Sequence, residues 1–272
     1  MKKVFFSISA MVVSAVGFSQ ANVSNVDQLG WFNGALVSQV GTLNTSDVYQ
    51  EGFGNFSYVD QLGVSNESTI EQYGDINWSL VGQEGTANTA FSLQSGFANL
   101  SVVTQSGDAN NSFTEQYGDE NWSFVDQIGT TNDSYVGQGG YYNTAVTSQS
   151  GISNFAGTLQ IGDVNWATTT QVGNDNYSGT IQLLDGNTAD TNQEGEFNYS
   201  WTQQLGFGNT ASTDQLGTFN SSETFQIGTD NTASTIQNGD NNYAQTIQLG
   251  DAHMSTISQL GVGNGAMVYQ SN

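Results

Sequence analysis

The chain has 272 residues, a formal net charge of −23, no cysteine and no proline. Its only basic residues are Lys2 and Lys3, so all 25 acids lie beyond them with one histidine and no Lys or Arg. Nucleic acid and anionic lipid need cationic contacts and are excluded as partners; disulfide stapling is excluded too, and the lack of proline suits a chain almost wholly in hydrogen-bonded strand.

Residues 1–20 read as a secretory signal peptide. Lys2 and Lys3 form a basic start, Val4 to Phe18 a short apolar run, and Gly17, Ser19 and Ala21 supply small residues for cleavage. That run is too short to span a bilayer, and no other follows. The expected mature chain is therefore exported, not membrane-integral, and forms one repeat array over 21–272.

From there one eleven-residue unit recurs without a slip. Gln returns at every eleventh position from Gln28 to Gln270, 23 times in one phase. Two residues after Gln comes Gly in 21 of 22 units, Leu184 being the exception, and five after comes Asn in 21 of 22, His253 being the exception. Seven after comes only Ala or Ser, and nine after comes Val, Ile or Thr except at Ser92. The unit Q-x-G-x-x-N-x-[AS]-x-[VIT]-x marks a repeat architecture.

Asn, Ala/Ser, Val/Ile/Thr and the next Gln are spaced by two, which places them on one face of a strand. The alternation breaks between Gly and Asn, where Gly and a following x-x often rich in Asp, Asn, Gly or Thr predict a turn. Strand-turn units can form an antiparallel meander or a coil whose rungs take two units, 22 residues. The coil is favoured, because it stacks Gln on Gln and Asn on Asn. The amides expected in these ladders include Gln28, Gln39, Gln50, Gln61, Gln127, Gln204, Gln259 and Gln270. Their asparagine counterparts include Asn33, Asn44, Asn55, Asn66, Asn132, Asn209 and Asn264. Each ladder bond contributes ~1 kcal/mol net, whereas a buried unpaired amide costs roughly 1–3 kcal/mol, so a ladder must be complete or absent.

The repeating columns contain none of the 25 acids and none of the 28 aromatic residues beyond the signal peptide, which assigns them to the interior. The expected fold is all-β: a cross-β solenoid with two parallel sheets around a thin core. Counting from Asn22 to Asn264 gives 23 strands, a rod of about 55 Å at ~4.8 Å per rung. The terminal strands are as regular as the central ones, and uncapped edges are templates for pairing with another chain.

Outward columns carry the variable residues. Phe56, Tyr58, Trp78, Leu80, Trp122, Phe124 and Trp166 stack 22 residues apart with Leu100, Val102 and Val146, forming an apolar band expected to mediate lateral contacts. Support of strand propensity is the plainer reading of these aromatics. The opposite sheet carries Phe91, Phe113 and Tyr135, then Phe155, Tyr177, Tyr199 and Trp201. Asp residues just after the turn Gly, among them Asp75, Asp119 and Asp163, are read as aggregation gatekeepers or as solvated turn residues. Leu184, with Gly186 two residues on, is expected to mark a bulge. Ten successive threonines from Thr147 to Thr246 point inward, which disfavours an ice-binding face. His253 stands alone, without the partners of a metal site or a triad, and paired acids such as Asp119-Glu120 lie in turns without a cleft. The sequence therefore offers no catalytic residue, metal or cofactor.

The unit Q-x-G-x-x-N-x-[AS]-x-x-x-Q, as in Gln204-Leu205-Gly206-Phe207-Gly208-Asn209-Thr210-Ala211, resembles the curlin repeat of curli fibre subunits over essentially all of 22–272. The resemblance implies an extracellular functional amyloid. Its β-solenoid subunits would cross the outer membrane, polymerise end to end, and serve biofilm matrix, adhesion and surface colonisation. It also implies a minor nucleating subunit and a dedicated outer-membrane export pore. The alternative is a monomeric secreted β-solenoid adhesin or ice-binding protein.

Overall fold

The computed structural model describes residues 21–272 and a two-residue strand, β1 (Met11–Val12), which pairs with Leu36 and Val37. The rest of the segment read as a signal peptide lies outside the described residues. From β2 (Val23–Trp31) to β24 (Gly265–Ser271) the chain forms strands of seven or nine residues. Even-numbered strands make one parallel twelve-stranded sheet, and odd-numbered strands make the other. From β2 onward each paired strand residue meets the one 22 positions away: Gln127 lies between Gln105 and Gln149, and Trp122 between Leu100 and Thr144. The architecture is a two-sheet parallel β-solenoid.

The interior follows the columns. The buried residues are Gln, Asn, Ser, Thr, Ala, Val and Ile, with Gly137, Gly179 and Gly206, and no described acid or aromatic is among them. The aliphatic part of the core runs from Val37 to Ala145; beyond it Thr takes the Val column. The two inner faces touch, since Thr169 Oγ1 lies 3.5 Å from Ser178 Oγ and Thr213 Oγ1 lies 3.5 Å from Ser222 Oγ across the core.

Several buried hydroxyls, including those of Ser57, Ser123 and Thr191, have no hydrogen-bond partner. The cause is geometric. In the inner columns, stacked at the rung spacing of ~4.8 Å, hydroxyl does not reach hydroxyl, whereas a carboxamide has an acceptor and a donor on opposite sides and spans the gap. Thr191→Val, which swaps an unpaired hydroxyl for a methyl of similar size, should stabilise the fold by about 1 kcal/mol in urea denaturation.

The turns are tighter than the sequence alone implies. The repeated Gly adopts φ near +120°, as at Gly129 (119°) and Gly151 (131°), and a Cβ there would meet the stacked glycine's carbonyl oxygen at about 2 Å. These positions need glycine because two rung backbones approach too closely for any side chain. Two residues later the chain enters the left-handed region again, with φ of 56° at Ala87, 60° at Val164 and 59° at Ile76. This second position is not reserved for glycine, although a β-branched residue there is strained. Val164→Gly should therefore raise stability, by up to ~1 kcal/mol once glycine's extra unfolded-state freedom is subtracted; an unchanged urea midpoint would contradict this.

Leu184 makes no bulge. Leu183 still pairs with Leu205 and Thr188 with Thr210, so the 22-residue register passes through intact. The leucine instead takes φ 72° in the glycine column, and the strands Phe155–Ile161 and Tyr177–Leu183 each stop two residues early. The chain spreads the misfit along two turns rather than inserting a residue.

Candidate functional site

Two uninterrupted glutamine ladders run the length of the solenoid. In the even sheet Gln28 donates from Nε2 to Gln50 Oε1 at 2.6 Å, and the series continues to Gln248 and Gln270 at 2.8 Å. In the odd sheet it runs from Gln39 and Gln61 to Gln237 and Gln259, both at 2.8 Å. The same Nε2 also crosses the core: Gln127 donates to Asn111 O and Gln204 to Thr188 O, each at 2.9 Å. Each glutamine thus ties rung to rung and sheet to sheet.

Asparagine does a different job at the turn. The backbone N–H of Asn132 donates to Asn110 Oδ1 at 3.1 Å, and its Nδ2 reaches Asn110 Oδ1 and Gly151 O, both at 3.0 Å, and Ile128 O of its own turn at 3.2 Å. The bond to the next rung's glycine carbonyl recurs from Asn33, Asn44, Asn55, Asn66 and Asn209 at 2.8–3.2 Å. Asn264 donates to Asn242 Oδ1 at 2.9 Å. The bond from Asn165 to residue 184, where leucine replaces glycine, is missing; Asn165 Nδ2 bonds Asn143 Oδ1 at 3.1 Å. His253 keeps part of the pattern, its N–H on Asn231 Oδ1 at 3.0 Å and its Nε2 3.1 Å from Leu249 O.

The ladders have a direction. Toward higher residue numbers every rung presents Gln Nε2 donors and Asn Oδ1 acceptors; toward lower numbers it presents Gln Oε1 acceptors and Asn N–H donors. A rung is complementary to a copy stacked in the same sense, and not to one that is reversed.

The turn aspartates have a structural task that composition did not reveal. Asp75, Asp119 and Asp163 accept the backbone N–H of Phe53, Phe97 and Tyr141 in the preceding rung at 3.0–3.1 Å. They satisfy peptide groups that the tight turn leaves unpaired.

On the outer face of the odd sheet, Phe56, Trp78, Leu100, Trp122, Thr144 and Trp166 lie in one register column, with Tyr58, Leu80, Val102, Phe124, Val146 and Thr168 in the next. Phe56 and Trp78 are in ring contact at 5.7 Å. The even sheet stacks Phe91, Phe113 and Tyr135 at 4.7 and 5.6 Å, and Phe155, Tyr177 and Tyr199 at 4.9 and 5.2 Å. Beside them Gly157 and Gly179 floor a hollow of about 160 Å³ between Tyr135 and Trp201. Those glycines sit outside the repeating columns, and only their stacking on one face gives them away.

Among the described residues charge is confined to the surface. Asp190, on the outer face of the odd sheet, is held above the ordinary carboxylate range, first by desolvation of its carboxyl and second by the Asp214 carboxylate one rung on. A carboxyl whose folded value is raised opposes folding when ionised; its penalty is absent below the unfolded value and grows as pH rises through the folded one. Asp190→Asn should thus stabilise the protein at neutral pH, and the gain over wild type should vanish once pH falls below the carboxylate range. A gain of equal size at both pH values would rule out this cause.

Among the described residues there is no group of three or more His, Cys, Asp or Glu able to hold a metal ion, and no helix long and apolar enough to cross a membrane. The fold and its ladders define a class: a solenoid built from identical strand-turn units with polar interior ladders. Residues 41–74 and 228–261 match the curlin associated repeat, so the chain carries curlin repeats. No curated protein matches the chain. The curlin repeat points to a structural, curli-type fibre subunit.

Proposed function

We propose that residues 21–272, freed of the signal peptide at 1–20, form a structural subunit of extracellular curli-like amyloid fibres. The observation that carries this reading is the polarity of the ladders. Every rung offers on one side the hydrogen-bonding groups that its other side needs, so a second copy stacked in the same sense continues both sheets, and a head-to-head joint sets donor against donor. Sheet edges of this kind recruit further strands. The fibres serve biofilm matrix, adhesion and surface colonisation, with a minor nucleating subunit and an outer-membrane export pore as partners. The odd-sheet band, Phe56, Tyr58, Trp78, Leu80, Trp122, Phe124 and Trp166, is the lateral contact surface.

The test uses the purified mature chain at neutral pH, followed by thioflavin fluorescence and electron microscopy. Unbranched fibres that seed fresh monomer support the proposal. A chain that stays monomeric for days would overturn it in favour of the monomeric adhesin.

A further inference from the structure

We infer that the tryptophan column of the odd sheet binds a neutral β-1,4-linked polysaccharide, of the cellulose or chitin type, laid along the solenoid axis. This rests on reading the outer band as a contact surface, and it names the partner.

Three observations carry it. Trp78, Trp122 and Trp166 share one column, with Leu100 and Thr144 between them. They are exposed to the same degree, 50%, 49% and 50%, so each bulky ring stands half in solvent at every second rung. Alternate rungs are ~9.6 Å apart. In an extended β-1,4-linked pyranose chain each ring is flipped relative to its neighbours, so a given face recurs at every second sugar, and that two-sugar repeat is close to the spacing of the tryptophans. The C–H-rich face of a pyranose is apolar and rests on the electron-rich face of an aromatic ring.

Charge selects among possible occupants. The two columns from Phe56 to Thr168 hold no charged residue, the outward column beside them carries Asp60 and Asp126, and the chain beyond Lys3 has 25 acids and no Lys or Arg. An acidic polysaccharide or a nucleic acid is repelled. A second copy seated on the same face sets the Asp60 and Asp126 carboxylates of both chains against each other with no cation to offset them. A neutral, stiff glycan meets none of it. The flanking outward column, with Thr104, Asp126, Ser148 and Thr170, lies on the same face, where its hydroxyls and carboxylate can hydrogen-bond sugar hydroxyls.

The experiment measures depletion of mature protein, as soluble chain and as fibres, by microcrystalline cellulose, by chitin and by granular starch, whose α-linked chains lack the alternating flip. Wild type should bind cellulose or chitin and not starch. The triple variant Trp78→Thr, Trp122→Thr, Trp166→Thr should lose affinity by about tenfold or more. A double variant, Trp122→Thr with Leu100→Trp, keeps three tryptophans but breaks the alternate-rung spacing, and should lose affinity similarly. Tyr177→Thr on the opposite sheet should retain it. Circular dichroism establishes that each variant is folded; if the triple fails to fold, the spacing variant and single Trp→Thr changes decide. Binding unchanged in the spacing variant, equal binding to starch, or no binding to either β-1,4 glycan overturns the inference. Fibre formation is scored separately by microscopy: fibres that ignore both glycans sink this inference and leave the fibre reading intact. Glycan binding without fibres does the reverse.

Discussion

Alanine at Gly129 is expected to destabilise the solenoid by roughly 3–5 kcal/mol, summing backbone strain and lost hydrogen bonds. Gly129 holds φ at 119°, and its new Cβ would sit 2.1 Å from Gly151 O. Neither clash partner can yield, because both are backbone in adjacent rungs. Relief requires the two strands to part at their ends, as they do around Leu184. Parting removes the staples from Asn110 to Gly129 O and from Asn132 to Gly151 O, each 3.0 Å long in the native fold. Gly139→Ala is the control. A Cβ there meets nothing within 4 Å, so the change should stay within about 0.5 kcal/mol of wild type. Urea denaturation of the soluble chain reads both. Equal midpoints for the two variants would mean that the glycine column does not set the rung spacing.

Leucine at Gln204 is the second large effect. Gln204 accepts from Gln182 Nε2 and donates to Gln226 Oε1 and Thr188 O, all at 2.9 Å. It is fully buried. Leucine fills a similar volume but leaves one donor and two acceptors without partners in the core, at a cost of roughly 3–6 kcal/mol. Its neighbour Gln203 points outward from the same strand and pairs with Ile181 and Phe225. Gln203→Leu should change stability by no more than about 0.5 kcal/mol. The two substitutions differ by one position and one face, so chemistry and strand propensity cancel. Similar losses from both would show that the ladder contributes no special stability. The same interruption should slow fibre growth if added chains extend the ladder through their own rungs.

Much of this architecture is legible in the sequence, because the solenoid repeats one small decision. A period of eleven with inward columns at spacing two leaves few arrangements, and the exclusion of every acid and aromatic from those columns separates inside from outside. Ladders of Gln and Asn, and the outward band from Phe56 to Trp166, follow from that separation. What the columns do not encode is direction and backbone conformation. The donor side of Gln204 and the stapling of Gly151 O by Asn132 depend on the coil's sense of climb. The left-handed residue two beyond the glycine is occupied by Ala87, Ile76, Val164 and Phe197 alike. Rung stacking imposes that conformation on whatever residue is there, so composition carries no trace of it. Asp75 and Asp119 read as surface charge until the N–H groups of Phe53 and Phe97 are seen to bond them. Leu184 looks like an inserted bulge only if the glycine is taken as the turn's centre rather than as a point of backbone contact.

The central claim is that rungs of 22 residues stack within one molecule and continue between molecules in the same two sheets. X-ray diffraction from aligned fibres of the mature chain tests it most directly. A sharp meridional reflection at ~4.8 Å, with an equatorial one at about 10 Å or less for the thin core, is the predicted result. Fibres whose ~4.8 Å spacing lies across the axis, with strands running along the fibre, would contradict it.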